Sequence, residues 1–77
     1  MNIKIFNEFI YVIDIELEGK IDDFIEVASK NDLLFRIKIV SIGKKKLKIE
    51  LYLYGSLFNY RKFCKEVKNI IDIDVTD

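Results

Sequence analysis

The side chains that could carry chemistry are one cysteine, four tyrosines and several runs of charge, and the sequence contains no histidine. Histidine is the commonest general base and metal ligand, so the usual catalytic sets cannot be assembled. Cys64 falls on an apolar helical stripe, where a cysteine behaves as a small hydrophobic residue. No neighbour on that stripe would stabilise its thiolate. The sequence therefore predicts a protein that is not an enzyme, with no catalytic residue, no cofactor and no metal.

Carboxylates are expected to gather where the first and last predicted strands pair. Clustered carboxylates can bind Mg²⁺ or Ca²⁺ through oxygen. Cross-strand ion pairs with Lys38 and Lys48 explain the same arrangement more simply, because both lysines should reach that end of the sheet. In this arrangement Lys48 is expected to lie near Glu16 and Lys38. The acidic residues concerned are Asp14, Glu16, Glu18, Asp72 and Asp74.

The stretch GKKKLK, residues 43–48, places four lysines at a predicted hairpin. Such a tip could bind phosphate groups, but lysines also keep exposed loops and sheet edges soluble. We interpret the run as a solvated loop.

The stretch LKIELYLYG, residues 47–55, alternates as a strand with one buried face does. Its odd positions are apolar, whereas its even positions run Lys48, Glu50, Tyr52 and Tyr54. Two tyrosines on the side that should meet water direct attention to that face of the sheet.

Hydrophobic periodicity predicts the elements that position these residues. A strand is expected over 9–18, either starting near residue 2 with a bulge or following a short extra strand. A helix from Ile21 to about Asn31, a strand over 33–42, a hairpin loop over 43–46 and a strand over 47–54 come next. Ser56 or Asn59 can cap a second helix. Residues 71–76 alternate again and predict a short terminal strand.

The order β-α-β-β-α-β is that of the ferredoxin-like, split βαβ folds of the α+β class. It predicts one domain over 1–77, with a four-stranded antiparallel sheet in the order fourth, first, third, second. Both helices should cover one face of this sheet. The even-numbered side chains would then line an open face.

The stretch EGKIDDFIEVASKNDLLF has Gly19 after a strand, Ile21 and Phe24 two and five positions on, and a polar turn before the next strand. In this spacing it resembles the ACT regulatory domains. The resemblance implies a ferredoxin-like fold and a small metabolite held near Gly19 and the first helix at a dimer interface.

Composition limits the classes of partner. The 13 basic and 13 acidic residues balance, so no global field attracts nucleic acid, and an electrostatic partner must meet a local patch. One cysteine cannot form an internal disulfide, and neither a signal sequence nor a membrane span is evident, so we expect a cytoplasmic protein with no membrane contact. Fourteen isoleucines against one alanine indicate A/T-rich codons and a low-GC genome.

Antiparallel pairing should bring the tyrosines beside apolar residues of both neighbouring strands. Exposed apolar surface of this extent usually marks an interaction site. The sequence thus predicts a protein-binding module, a regulator or inhibitor carried by a phage or other mobile element, which docks a protein partner or forms a homodimer. An ACT-like sensor and single-stranded nucleic-acid binding are the alternatives, and residues 1–8 could instead fold over the patch. The predicted interface residues are Ile10, Val12, Leu34, Arg36, Tyr52 and Tyr54.

Overall fold

The computed structural model describes the backbone of residues 7–75 and the side chains of residues 7–71. Over these residues the chain is an α+β protein with three strands, a short 3-10 helix and two α-helices. The elements are β1 (Asn7–Asp14), the 3-10 helix (Ile15–Lys20), α1 (Ile21–Lys30), β2 (Leu34–Ile42), β3 (Lys45–Gly55) and α2 (Leu57–Val75).

The three strands form one antiparallel sheet in the order β1-β3-β2. β3 is central because its alternating sequence pairs with β1 on one side and with β2 on the other. The hairpin between β2 and β3 is confirmed, but its turn is shorter than predicted, since Ile42 already pairs with Lys45. Gly43 supplies the positive φ of 61° that this tight turn requires.

The predicted four-stranded ferredoxin-like sheet is wrong, because the segment expected to form the fourth strand continues α2 to Val75. Two features of the sequence explain the helix. No proline or glycine follows Gly55, so no residue stops the helix. Ile70 and Ile71 also extend the stripe of α2 that packs on the core, at the three- and four-residue spacing of Phe63 and Val67.

The first strand is shorter at its end than the alternation predicts. β1 stops at Asp14, and the remaining alternating residues form the 3-10 helix. Ile15 and Leu17 still pack against the core from that helix, so their burial does not require a strand. The predicted extra strand or bulge over residues 2–6 lies outside the described residues.

The core lies between the sheet and the two helices, which pack on one face as predicted. β3 contributes its odd-numbered residues, and each helix contributes the apolar stripe that the sequence indicates. The buried apolar residues are Ile13, Phe24, Ala28, Leu33, Ile49, Leu51, Leu53, Phe63 and Val67.

The helices cover β3 from Ile49 onward but β2 only at its beginning. Leu33, just before β2, is buried, whereas Phe35 and Ile39 remain 43% and 45% exposed on the same side. Leu47 at the beginning of β3 is also exposed. All three lie on the side of the sheet that faces the helices, as their odd-numbered positions predict, but the helix layer is narrower than the sheet and leaves them exposed.

Candidate functional site

The face of the sheet opposite the helices is built from the even-numbered residues of the three strands, in four rows. The antiparallel register gives each row one residue from β1, one from β3 and one from β2. The rows are Glu8-Tyr54-Leu34, Ile10-Tyr52-Arg36, Val12-Glu50-Lys38 and Asp14-Lys48-Val40. We call this surface the open face.

The first three rows hold all six predicted interface residues, and the structure brings them together. Ile10, Val12 and Leu34 are 48%, 52% and 66% exposed, and they flank the two half-buried tyrosines of β3. No other element of residues 7–75 packs on them. The result is an apolar and aromatic patch with Arg36 at its side.

Polar contacts hold Tyr52 in a fixed position on this patch. Its hydroxyl donates a hydrogen bond to Oε1 of Glu50 at 3.1 Å. The guanidinium carbon of Arg36 lies 4.6 Å from the centre of the Tyr52 ring, a cation–π contact. Tyr52 is thus held from both sides, which orders an anchor before any partner binds.

Both tyrosines of the open face remain neutral at physiological pH. Hydrogen bonding to Glu50 raises the pKa of Tyr52, with partial burial as a smaller cause. Hydrogen bonding to Glu8 has the same effect on the pKa of Tyr54. The phenols therefore act as hydrogen-bond donors to nearby carboxylates and not as bases.

The predicted gathering of five carboxylates is wrong. Asp14 lies on the open face, but Glu16 and Glu18 belong to the 3-10 helix, and Asp72 and Asp74 belong to α2. Among the described residues, no three cysteine or acidic side chains are grouped closely enough to hold a metal ion.

The lysines pair differently from the prediction that Lys48 lies near Glu16 and Lys38. Lys48 instead lies opposite Asp14 and Val40, and its Nζ is 3.9 Å from Oε2 of Glu50 on the same strand. Lys46 forms a closer pair with Glu18, at 2.9 Å. The early end of β1 accounts for the difference, because it removes Glu16 from the sheet.

Cys64 packs against the core from α2 and is half-buried, as the apolar stripe predicts. It lies beside two tyrosines of the helix-covered side. Burial raises the pKa of Tyr60 to about 12, and hydrogen bonding with Cys64 adds to that shift. Burial also raises the pKa of Tyr11.

The sequence prediction missed the second exposed apolar surface, on the helix side of β2. Three large apolar residues on that side are exposed, namely Phe35, Ile39 and Ile42. The sequence indicates this surface in part, since β2 has apolar residues on both of its faces. Gly19, which the ACT resemblance singled out, lies one residue before the end of the 3-10 helix, and a Cβ at this position would meet nothing within 4 Å.

The fold and the open face define a class, that of small two-layer α+β proteins with one sheet face left uncovered. Comparison of the chain with family models, with curated proteins and with solved structures found no match. Within the described residues, none of the helices has the length and apolar character needed to cross a bilayer.

Proposed function

We propose that this chain is a non-enzymatic protein-binding module that acts through the open face. The observation that carries the proposal is the apolar and aromatic patch of Ile10, Val12, Leu34, Tyr52 and Tyr54, with Arg36 beside it. Exposed apolar patches are rare on monomeric proteins unless they bind something, and tyrosine and arginine are enriched among binding hot spots. A regulator or inhibitor that occupies another protein's surface needs no further chemistry.

The charges of the open face also suit a second copy of the chain. The β1 side carries the acidic residues Glu8 and Asp14, and the β2 side carries the cations Arg36 and Lys38. A two-fold axis along β3 would place the β1 side of each copy over the β2 side of the other. Opposite charges would then surround the two sets of tyrosines, which is the complementarity that specific interfaces use.

Single-stranded nucleic-acid binding is the second candidate, since Tyr52 and Tyr54 lie on one face with two cations nearby. Bases stack on exposed aromatic rings in sheet-based RNA-binding domains. The flanking residues on β1 are Ile10 and Val12, which offer neither a ring nor a cation, and Arg36 already lies over the Tyr52 ring. These features favour a protein partner.

Replacing Tyr52 and Tyr54 together with serine tests the proposal. Both side chains point away from the core, so the fold should persist while association weakens. Loss of an interface anchor typically costs about 2 kcal/mol, which is a loss of affinity of about 30-fold. Sedimentation velocity measures self-association, and binding to an identified partner is measured by titration.

The matched control is Leu57→Ser with Phe58→Ser, which removes two exposed apolar side chains from α2 on the other side of the molecule. Association should not change in this variant. If the tyrosine variant associates like the wild type, the open face is not the interface. If it instead loses salt-dependent binding to a single-stranded oligonucleotide, the nucleic-acid function is correct.

A further inference from the structure

The outer edge of β2 differs from an ordinary protected sheet edge. No strand among residues 7–75 pairs with that edge, and pairing with β3 is regular from Leu34 to Val40, before a bulge at Ser41. On the helix side, Phe35 and Ile39 are nearly half exposed, whereas Leu53 and Ile49, which lie beside them on β3, are buried. β1, the other edge strand, has its helix side packed against α2 through the stacked rings of Phe9 and Tyr60. An unpaired edge with uncovered apolar side chains is a template for another strand.

The beginning of this edge also has a groove that can hold a side chain of a bound segment. An open groove of about 660 Å³ lies between the end of α1 and the beginning of β2. Its lining is mainly apolar, and Asp32 makes it unfavourable for an acidic group. The lining residues are Ser29, Asp32, Leu33, Leu34 and Phe35.

The charges along β2 determine which kind of strand fits. On the open face the edge presents Arg36 and Lys38 two positions apart, both exposed. If β2 paired with β2 of a second copy over its full regular length, the antiparallel register would be centred on Ile37. Arg36 of each copy would then lie opposite Lys38 of the other. Like charges directly opposite each other destabilise a strand pair. β1 of a second copy fits no better, because its acidic residues, Glu8 and Asp14, are six positions apart.

We propose that the outer edge of β2 accepts an extended segment of another protein, in which apolar residues alternate with acidic ones. Backbone hydrogen bonds to the edge would supply affinity. The apolar side chains of the segment would cover Phe35, Ile37 and Ile39 on the helix side. Two acidic residues, spaced by one, would lie beside Arg36 and Lys38 on the open face. This binding does not require the open face itself to be occupied.

A synthetic peptide with this pattern tests the proposal on the full-length protein. The probe is a fluorescein-labelled, capped Thr-Val-Asp-Ile-Glu-Val-Thr, and its counterpart carries lysine at both acidic positions. The acidic peptide should bind, and fluorescence anisotropy measures its affinity. Arg36→Glu with Lys38→Glu should weaken that binding by about 10-fold or more and should allow the lysine peptide to bind, because the charge preference is reversed.

The matched control is Lys65→Glu with Lys68→Glu, which makes the same change in net charge on exposed positions of α2. This variant should bind the acidic peptide like the wild type. Hydrogen exchange locates the peptide: backbone amides of β2 should exchange more slowly when it is bound, while those of β1 should not change.

Three results would overturn the proposal. The first is no binding of the acidic peptide, and the second is binding that both charge-reversed variants weaken equally. The third is protection of β2 amides that rises with protein concentration alone, which would assign the edge to a second copy. None of these results bears on the Tyr52 and Tyr54 experiment, so the two proposals fail separately.

Discussion

At the scale of single residues, Gly55 is the glycine whose replacement would create a steric conflict. It is buried where β3 ends, and a Cβ at this position would lie 2.6 Å from Cδ2 of Leu33 and 3.5 Å from the carbonyl oxygen of Asp32. Leu33 is itself buried in the core and has little room to rotate. The position therefore demands glycine for space and not for backbone conformation.

Gly55→Ala should lower the free energy of unfolding by about 1 kcal/mol or more, as overpacking of a well-filled core does. For a domain of this size, that corresponds to a fall in melting temperature of about 4–8 °C per kcal/mol. Urea unfolding followed by circular dichroism measures it. Gly19→Ala is the control, because a Cβ at Gly19 would meet nothing within 4 Å. Equal stability of the two variants would show that Leu33 can move aside.

At the scale of elements, Asn31 joins the two helices. It is buried just after α1, and its Nδ2 donates to the carbonyl oxygen of Val27 at 2.9 Å and to Oε1 of Glu66 on α2 at 3.2 Å. Lys30 lies 3.1 Å from Oε2 of the same carboxylate. Hydrogen bonding to Lys30 lowers the pKa of Glu66, and hydrogen bonding to Asn31 adds to this effect. The Glu66 carboxylate thus binds two consecutive residues, Lys30 and Asn31, where α1 ends.

Asn31→Ala should cost about 1–2 kcal/mol of stability, because two hydrogen bonds at a buried helix junction are lost. The loss should appear in thermal and urea unfolding. Ser29→Ala in the same turn is the matched control, since the Ser29 side chain is exposed, and it should change stability little. If the two alanine variants were equally stable, the contact between α1 and α2 would depend on apolar packing alone.

At the scale of the whole molecule, the protein is a plate of 48 × 32 × 15 Å. Its thickness is that of one sheet and one helix layer. Two helices can cover the central strand but neither the opposite face nor the full width of β2. Both proposed binding surfaces therefore follow from one cause, which is that a small chain buries a smaller share of its surface than a large one.

Global stability should decline at alkaline pH because of the half-buried phenol of Tyr60. Its pKa is raised from 10.0 to about 12 in the folded protein, mainly by burial. Because the pKa is higher in the folded state, the unfolded chain loses the Tyr60 proton first as pH rises. The contribution of Tyr60 to the free energy of unfolding is therefore complete below pH 10 and is lost as pH rises toward 12. Tyr60→Phe should flatten this decline. The measurement is urea unfolding at several pH values from 8 to about 11. Parallel pH profiles of wild type and variant would contradict the assignment to Tyr60.

Local patterns in the sequence were sufficient to predict most of the helices and strands. The alternation in 47–54 and 33–42 placed Tyr52 and Tyr54 beside Leu34 and Arg36, because a period of two and antiparallel pairing leave little freedom in the register. The helix from Ile21 follows equally from its apolar spacing and the acidic residues of its first turn. The residues of the apolar and aromatic patch were therefore predictable without coordinates, whereas four of the five carboxylates expected on the same face belong to helices instead.

Tertiary packing decided the structure of those segments whose sequence fits both a strand and a helix. Residues 71–76 alternate like a strand, yet Ile70 and Ile71 also continue the stripe of α2, and a helix without a stop signal extends as long as its stripe finds core to cover. Ile15 and Leu17 likewise reach the core from a 3-10 helix. The exposure of Phe35 and Ile39 was hidden for a related reason. A period of two tells which side of a sheet a residue faces, but only the width of the helix layer determines whether that side is covered.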